Sequence, residues 1–354
     1  MPRSDDMTIA FDISPIDPNS GHKVRGIGTY VRQLHSLFPK YDQKNSYAFF
    51  SKQEDISSKA DIIHYPYFDL FARNNFVINH KTVITLHDLT PLVFPENFPI
   101  GIRGKLNWLN NKRKLKKAGG IITDSKASKK DIVRLVGIPE NRVHVVYLAA
   151  GEQFAVHKPS LSNAAAFRKK YALPDQLVLY VGDATWNKNL PNLVDAIKEV
   201  NLTLVFAGKA IANNDFDTNH PWNRSLVLAK EKMKGDKRFI TLGYIPDEDL
   251  VTLYNIADVT VLPSLYEGFG LPVLEAMQCG SPVVTTKMGS LPEIAGDAAM
   301  YVDPYDVVRI GNGISEIVSS ESLRGSLIEK GIIQAKNFTW KKTIDATVQV
   351  YSKI

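Results

Sequence analysis

Two glutamates eight positions apart, Glu267 and Glu275, lie in the string SLYEGFGLPVLEAMQCGSPVV (264–284). The string predicts a buried strand ending at Pro263–Ser264, a glycine-containing turn EGFG, and a helix from about Leu271. Backbone N–H groups at such a turn and helix start converge on one point, where they bind an anion without needing a cation. Carboxylates beside that anion would repel it, so the two glutamates suit hydrogen bonds accepted from sugar hydroxyls. On a continuous helix, eight residues advance about 80° beyond two full turns. Only the turn before the helix can put both on one wall. A helix cap with a solvated glutamate is the plainer reading; it explains two isolated glutamates better than it explains the whole string.

Three further groups could do chemistry. VRGIGTY (24–30) follows a strand and a loop, and Gly26 and Gly28 would let a phosphate approach the backbone closely. The dinucleotide fingerprint G-x-G-x-x-G is not completed, because Arg32 and Gln33 follow. That argues against a plain dehydrogenase. TVITLHDLTPLVFP (82–95) ends a strand at His87–Asp88, the position where open α/β sheets bind ligands. Asp88 either orients the imidazole or makes a turn. Lys188, in WNKNL, stands after a strand and before a helix, and is a candidate for phosphate or for plain surface.

The segment GIRGKLNWLNNKRKLKKA (101–118) carries Arg103, Lys105, Lys112, Arg113, Lys114, Lys116 and Lys117 and no acid. Ile102, Leu106, Trp108, Leu109 and Leu115 give it an apolar side. This suits an interfacial helix drawn to anionic lipid at about 1 kcal/mol per cation, or a solvated helix packed on its own domain. Nucleic acid is not expected, since no recognition motif accompanies the charge. His64, His80, His144 and Cys279 read as structural, and no metal-ligand spacing occurs. The one formal D-x-D, at 215–217, reads as a surface loop.

These groups need a scaffold. The chain has 354 residues, 44% hydrophobic and 23% charged, which excludes a disordered chain, a fibre and a disulfide-stapled miniprotein. No apolar run approaches the roughly 18 residues of a membrane span. MPRSDDMTIAFDI lacks a signal-peptide core, and the single Cys279 fits a reducing cytoplasm. Residues 1–155 hold 22 Lys/Arg against 15 Asp/Glu, and residues 156–354 hold 21 against 22. The whole positive surplus is in the first half, so the halves are expected to face different partners.

Short apolar runs alternate with amphipathic segments, which predicts parallel strands joined by helical crossovers. In the first half, strands are expected at 8–13, 46–50, 61–65, 82–86, 120–123 and 143–147, with helices at 28–38, 103–118 and 126–136. In the second, strands are expected at 177–182, 202–208, 239–243, 258–264, 282–286 and 298–303. Helices there fall near 189–199, 222–234, 247–256, 271–279, 307–318 and 322–336. The polar stretch 151–167 reads as irregular, with VHKPSLSN as the linker, and residues 1–6 as disordered. This predicts an α/β chain of two doubly wound, Rossmann-like domains, 1–155 and 165–337, facing across a cleft. A last helix at about 338–354 would pack back on the first.

Taken together, EGFGLPVLEAMQCGSPV, DSKASKKDIVRLVGIPENRVHVVYLA (124–149), YVGDATWNKNL (180–190) and LGYIPDEDLVTLYNIADVTVLPSLYEGFG (242–270) resemble family 4 of the retaining glycosyltransferases, of GT-B fold, over nearly the whole chain. GIGTY, LHDLTPLVFP and VGxxxxNKNL look most like the mannosyltransferases of bacterial surface-polysaccharide assembly. The resemblance implies transfer of a sugar from a nucleotide diphosphosugar to a hydroxyl, with retention, no cofactor, no metal and no assigned protein nucleophile. It implies that Glu267 contacts donor-sugar hydroxyls and Glu275 the ribose. The diphosphate falls to Gly268 and the amides of Phe269, Gly270 and Leu271, with Lys188 and the Gly26–Gly28 loop. His87 is implied as catalytic, by main chain and side chain, and Gly182 and Tyr244 as donor-binding.

This chain departs from the pattern at Asp183 and Asn187, where relatives carry Arg. The departure implies weaker diphosphate neutralisation or compensation from Arg25 or Lys209. GDP-mannose is the first donor implied and a UDP- or dTDP-sugar the second, with a glycan or lipid-linked acceptor on the basic domain. The acceptor side would sit at the inner face of the membrane. A GT-B sugar-nucleotide epimerase, or a non-catalytic sugar-nucleotide binder, is the alternative of a different class.

Overall fold

The computed structural model describes residues 6–21, 26–157 and 160–354. The expectations for residues 1–5, for Val24 and Arg25, and for Lys158–Pro159 lie outside them. The chain divides into two compact units. One comprises Met1–Pro95, Pro99–Ala149 and Phe338–Ile354; the other comprises Glu96–Phe98 and Ala150–Asn337.

In the first unit the chain runs β1 (Thr8–Asp12), α1 (Gly26–Tyr41), β2 (Ser46–Phe50), β3 (Ile62–Tyr65), β4 (Thr82–Thr85), α2 (Thr90–Val93), α3 (Gly101–Leu115), β5 (Gly120–Thr123), α4 (Lys126–Asp131) and β6 (Val143–Val145). The six strands form one parallel sheet in the order β2-β1-β3-β4-β5-β6. Every residue of β4 and β5 is buried, as a sheet covered on both faces requires.

The second unit continues with α5 (Leu161–Tyr171), β7 (Val178–Val181), α6 (Leu190–Val200), β8 (Leu204–Ala207), α7 (Lys209–Ala212), α8 (Arg224–Met233), β9 (Phe239–Gly243), α9 (Asp247–Ile256), β10 (Val259–Leu262), α10 (Leu271–Gln278), β11 (Val283–Thr286), α11 (Leu291–Ala295), β12 (Ala299–Val302), α12 (Val307–Ser319) and α13 (Glu321–Ala335). Its sheet is also parallel, in the order β12-β11-β10-β7-β8-β9. Strand order reverses between β7 and β10, and the carboxyl ends of strands at such a switch point are where open α/β sheets bind ligands.

Two expectations change. Residues 161–171 form helix α5 instead of irregular chain, with the Ser160 hydroxyl capping the Asn163 amide. Its face lacks fully buried residues, so no hydrophobic periodicity announced it. The second unit also takes in 150–155, because the Phe154 ring packs edge-on against Tyr254, 6.0 Å between centroids.

Helix α14 (Trp340–Tyr351) belongs to the first unit. The Thr343 hydroxyl donates to the Tyr147 carbonyl at 2.8 Å, and the Tyr351 hydroxyl meets His64 Nδ1 at 2.7 Å. His64 is fully buried and its other nitrogen meets the Thr85 hydroxyl at 2.9 Å. It is thus a satisfied core histidine. Cys279 is buried, which pushes its thiol up to about 12.

Helix α3 shows two apolar faces where the sequence suggested one. Trp108 packs against the core, and Gly104, Asn111 and Leu115 are buried. Ile102, Leu106 and Leu109, spaced four and three apart, point outward and are 80%, 62% and 51% exposed. Among the described residues no helix is long and apolar enough to cross a membrane.

Candidate active site

The loops after β7 and β10, neighbours at the switch point, are laced together. Gly182, at φ +150°, turns the chain out of β7, and its carbonyl lies so close to Gly208 that a side chain there has no room. The loop then makes a single turn over Trp186–Lys188. Asn187 is buried; its side chain donates to the Tyr266 carbonyl at 2.9 Å and its carbonyl accepts from the Leu265 amide at 2.7 Å. Asn189, in the left-handed region at φ +60°, donates to the carbonyls of Pro263 and Pro304 at 3.1 and 2.7 Å.

This lacing brings Lys188 and Glu267 together. The Lys188 ammonium lies 2.7 and 2.8 Å from the two carboxylate oxygens. The Ser264 hydroxyl donates to one of them at 2.6 Å. The Ser290 hydroxyl lies 2.7 Å from the Phe269 carbonyl and 3.0 Å from the Glu267 carbonyl, to which the Ser290 backbone N–H also donates at 3.1 Å, and so holds the same turn. Gly289, at φ +56°, is packed against the Glu267 backbone with no space for a side chain. Asn187, considered in the sequence as a missing phosphate cation, is therefore a fastener of the glutamate turn. Asp183 accepts from the Ala184 amide at 2.8 Å and shapes its own loop.

Gly268, Phe269 and Gly270 complete the turn into α10. Gly270 takes φ +99° at the helix start, with Leu271 as first helical residue and Pro272 just inside. Glu275 stands one turn on and accepts from the Tyr254 hydroxyl of α9 at 2.9 Å. Burial pushes its carboxyl up to about 7, against the pull of that hydrogen bond. The two glutamates thus have separate partners, a cation for Glu267 and a phenol for Glu275. Tyr244 follows β9 and is exposed, with the Lys209 ammonium 5.6 Å from its ring centroid.

In the first unit, α1 begins at Gly26 and a side chain at that position would meet nothing within 4 Å. Gly28 is buried within the first turn, and Tyr30 sits edge-on to His87 at 5.1 Å. His87 follows β4. Its Nδ1 lies 2.8 Å from the Asp124 carboxylate and its Nε2 3.1 Å from the Pro66 carbonyl. Asp88 does not orient this ring; its carboxylate accepts from the Thr90 amide at 2.8 Å and makes the turn into α2. Burial alone would lower the His87 pKa, but the charge and hydrogen bond of Asp124, the Asp88 charge and the Pro66 carbonyl raise it above the ordinary value.

Asp124, Ser264, Ser290 and Tyr254 were not singled out in the sequence. Asp124 had a signal: it directly follows β5, the neighbour of β4, so it ends at the same sheet edge as His87. The Asp215–Asp217 pair lies in an exposed loop, where Asp215 and Asp217 each take part in local turn hydrogen bonds.

Two family models match the chain: Glycosyltransferase Family 4 over residues 11–149 and Glycosyl transferases group 1 over residues 163–334. The O-antigen chain mannosyltransferase B of Escherichia coli is 32% identical over 78% of this chain and 72% of its own. The serotype-specific mannosyltransferase WbdA of Escherichia coli is 29% identical over 77% of this chain, which spans about a third (34%) of that longer protein. Among solved structures, sucrose-phosphate synthase from Thermosynechococcus elongatus superposes with a TM-score of 0.73 at 21% identity, covering 98% of both chains. Anabaena HepE, solved with UDP and glucose, gives 0.73 at 17% identity, over 98% of this chain and all (100%) of its own.

Proposed function

Because the chain belongs to the family 4 glycosyltransferases, we propose that it moves mannose from GDP-mannose to a hydroxyl of a glycan or lipid-linked acceptor, with retention and without a metal. The bond from the anomeric carbon to the diphosphate breaks, the bond to the acceptor oxygen forms, and the acceptor's proton leaves. The main barrier is departure of the diphosphate through an oxocarbenium-like state, as in glycoside hydrolysis. The protein's work is then to stabilise negative charge growing on the diphosphate.

The observation that carries this reading is the Lys188–Glu267 pair set beside the start of α10 at the switch point. Lys188 and the amides of Phe269, Gly270 and Leu271 would hold the diphosphate, each preorganised donor contributing roughly 10²–10³ in rate. Glu267 would accept from the sugar and Glu275 from the ribose. In the first unit, His87 and the Gly26–Gly28 helix start take the donor-side roles that the family pattern gives them. Mannose as the sugar is supported by the Escherichia coli mannosyltransferases among the relatives.

The acceptor falls to the basic first unit. The outward stripe of Ile102, Leu106 and Leu109 is bordered by exposed Arg103, Lys105 and Arg113, the pattern of a helix lying in an anionic lipid surface. A lipid-linked acceptor at the inner membrane face fits that helix.

The test is a donor screen. The protein is incubated with GDP-, UDP- and dTDP-sugars, and nucleotide release is followed with and without EDTA. GDP-mannose should be hydrolysed fastest, and EDTA should not slow it. A preference for a UDP-sugar would replace the donor, and loss with EDTA reversed by Mn²⁺ would overturn metal independence. Interconversion of free sugar nucleotides would mark an epimerase.

A further inference from the structure

We propose that Asp124 is a positioning residue that keeps His87 an imidazolium, with both ring N–H groups spent on protein acceptors. The proposal rests on the reading of His87 as a donor-facing residue and adds what the ring can do there. A carboxylate and a carbonyl have only lone pairs to offer. With Nδ1 at 2.8 Å from Asp124 Oδ2 and Nε2 at 3.1 Å from the Pro66 carbonyl oxygen, the ring satisfies both partners only by donating twice. A doubly donating imidazole carries a positive charge. What the ring can then offer is that charge and the loop it fixes. A hydrogen bond to a sugar hydroxyl would require His87 to give up Pro66.

The surroundings agree. Asp124 is buried, and its second oxygen, Oδ1, has no hydrogen-bond partner among the described residues. A carboxylate in that state is costly unless a charge compensates it, and the imidazolium is the cation it bonds. The charged and titratable groups around the ring are few. Asp88 on its own loop adds negative charge without touching it. His64, from β3, is held neutral by burial, with both nitrogens engaged by Tyr351 and Thr85. Tyr30, from α1, presents its ring at 87° to the imidazole. The competing arrangement is a protonated Asp124 donating to a neutral His87 that keeps its proton on Nε2.

Nitrogen-15 shifts of His87 in the full chain separate the two directly, whether or not a donor is known. Wild-type protein should show both nitrogens protonated at neutral pH and a midpoint above the ordinary 6.5. Asp124→Asn should drop that midpoint by about one unit or more. On the alkaline side of both midpoints turnover then falls about tenfold, since each unit is a factor of ten in the cationic fraction. Donor KM should change little, and Asp124→Glu should recover part of the midpoint and of the turnover.

A neutral His87 with its proton on Nε2 overturns the proposal. So does a lowered midpoint in Asp124→Asn that leaves the pH–rate profile where it was, because the pair would then only fasten the loop. If Asp124→Asn does not fold, the wild-type shifts and the Asp124→Glu profile decide. If no sugar nucleotide is turned over at all, the functional reading fails, and the nitrogen shifts still accept or reject the imidazolium.

Discussion

Lys188 meets both carboxylate oxygens of Glu267, and Ser264 donates to one of the two. The side chains are 16% and 8% exposed, so the pair is largely withdrawn from water. On the proposed roles, a sugar hydroxyl reaching Glu267 would share it with Lys188, and a phosphate drawing on Lys188 would take it from Glu267, so that one ion pair would couple sugar and diphosphate binding. Removing one member of such a pair leaves a buried charge uncompensated, at about 3–5 kcal/mol. Lys188→Met should therefore lower the melting temperature more than the double variant Lys188→Met/Glu267→Gln, measured by thermal denaturation. Equal losses would mean the two residues do not act as a pair.

Glu267→Ala should lower turnover far more than it weakens binding of the bare nucleotide diphosphate. Calorimetry with GDP beside steady-state kinetics checks this. If both fall together, Glu267 serves the nucleotide and not the sugar.

Glu275, with its carboxyl pushed up to about 7, is partly protonated in the free protein near neutrality. Ribose hydroxyls donating to it would favour the carboxylate, so nucleotide binding should release a proton and tighten as pH rises through 7. Calorimetry in two buffers of different ionisation enthalpy measures the proton, and Glu275→Gln should remove its share. Stability of the free protein runs the other way. A carboxyl protonated in the fold but ionised when unfolded costs stability as pH climbs from 4.5 towards 7. Tyr254→Phe, which deletes a hydrogen bond that favours that carboxylate, should raise the Glu275 pKa further and so move the pH range over which nucleotide binding tightens upward.

His64 lies under a different sign. Burial lowers its pKa to about 3, so it is neutral in the fold and cationic in the unfolded chain below 6.5. Its contribution is present above 6.5 and is lost as pH falls from there towards 3. Urea unfolding at descending pH should show this loss, and His64→Gln should flatten it. A slope unchanged by the substitution would place the acid sensitivity elsewhere.

Vesicle co-sedimentation tests helix α3. Wild-type protein should bind vesicles containing anionic lipid and leave them at 1 M salt, where the Debye length is about 3 Å. Ile102→Ser/Leu106→Ser/Leu109→Ser should abolish binding while donor hydrolysis stays intact. Lys112 and Lys114 are poor choices for charge removal, because they donate to the carbonyls of Leu135 and Asn74 and so hold the helix to its own unit. Wild-type protein that ignores anionic vesicles at low salt would leave only a soluble acceptor.

Much of this architecture was legible before folding. Continuous Val/Ile/Leu runs such as LVLYVG and DVTVLP read as doubly covered parallel strands because nothing polar interrupts them. The EGFGLPVLEAMQ string announced its turn and helix because glycine and proline punctuate it in the only order that geometry accepts. Helix α5 was missed for the opposite reason: without a buried face it has no periodicity to read.

Partnership is what the chain order alone could not specify. Lys188 and Glu267 are 79 residues apart, and His87 and Asp124 are 37 apart. Their pairing follows from which strands lie side by side, β7 with β10 and β4 with β5, and that adjacency is decided by sheet packing. The same cause gave Asn187, read in the sequence as the place of a missing cation, the role of a clamp on the Tyr266 carbonyl, and gave the orienting of His87 to Asp124 instead of its neighbour Asp88. Residue types and local spacing set the elements and the chemistry available at their ends. Tertiary structure chose the partners, because a buried polar group must take whatever donor or acceptor the adjoining strand presents.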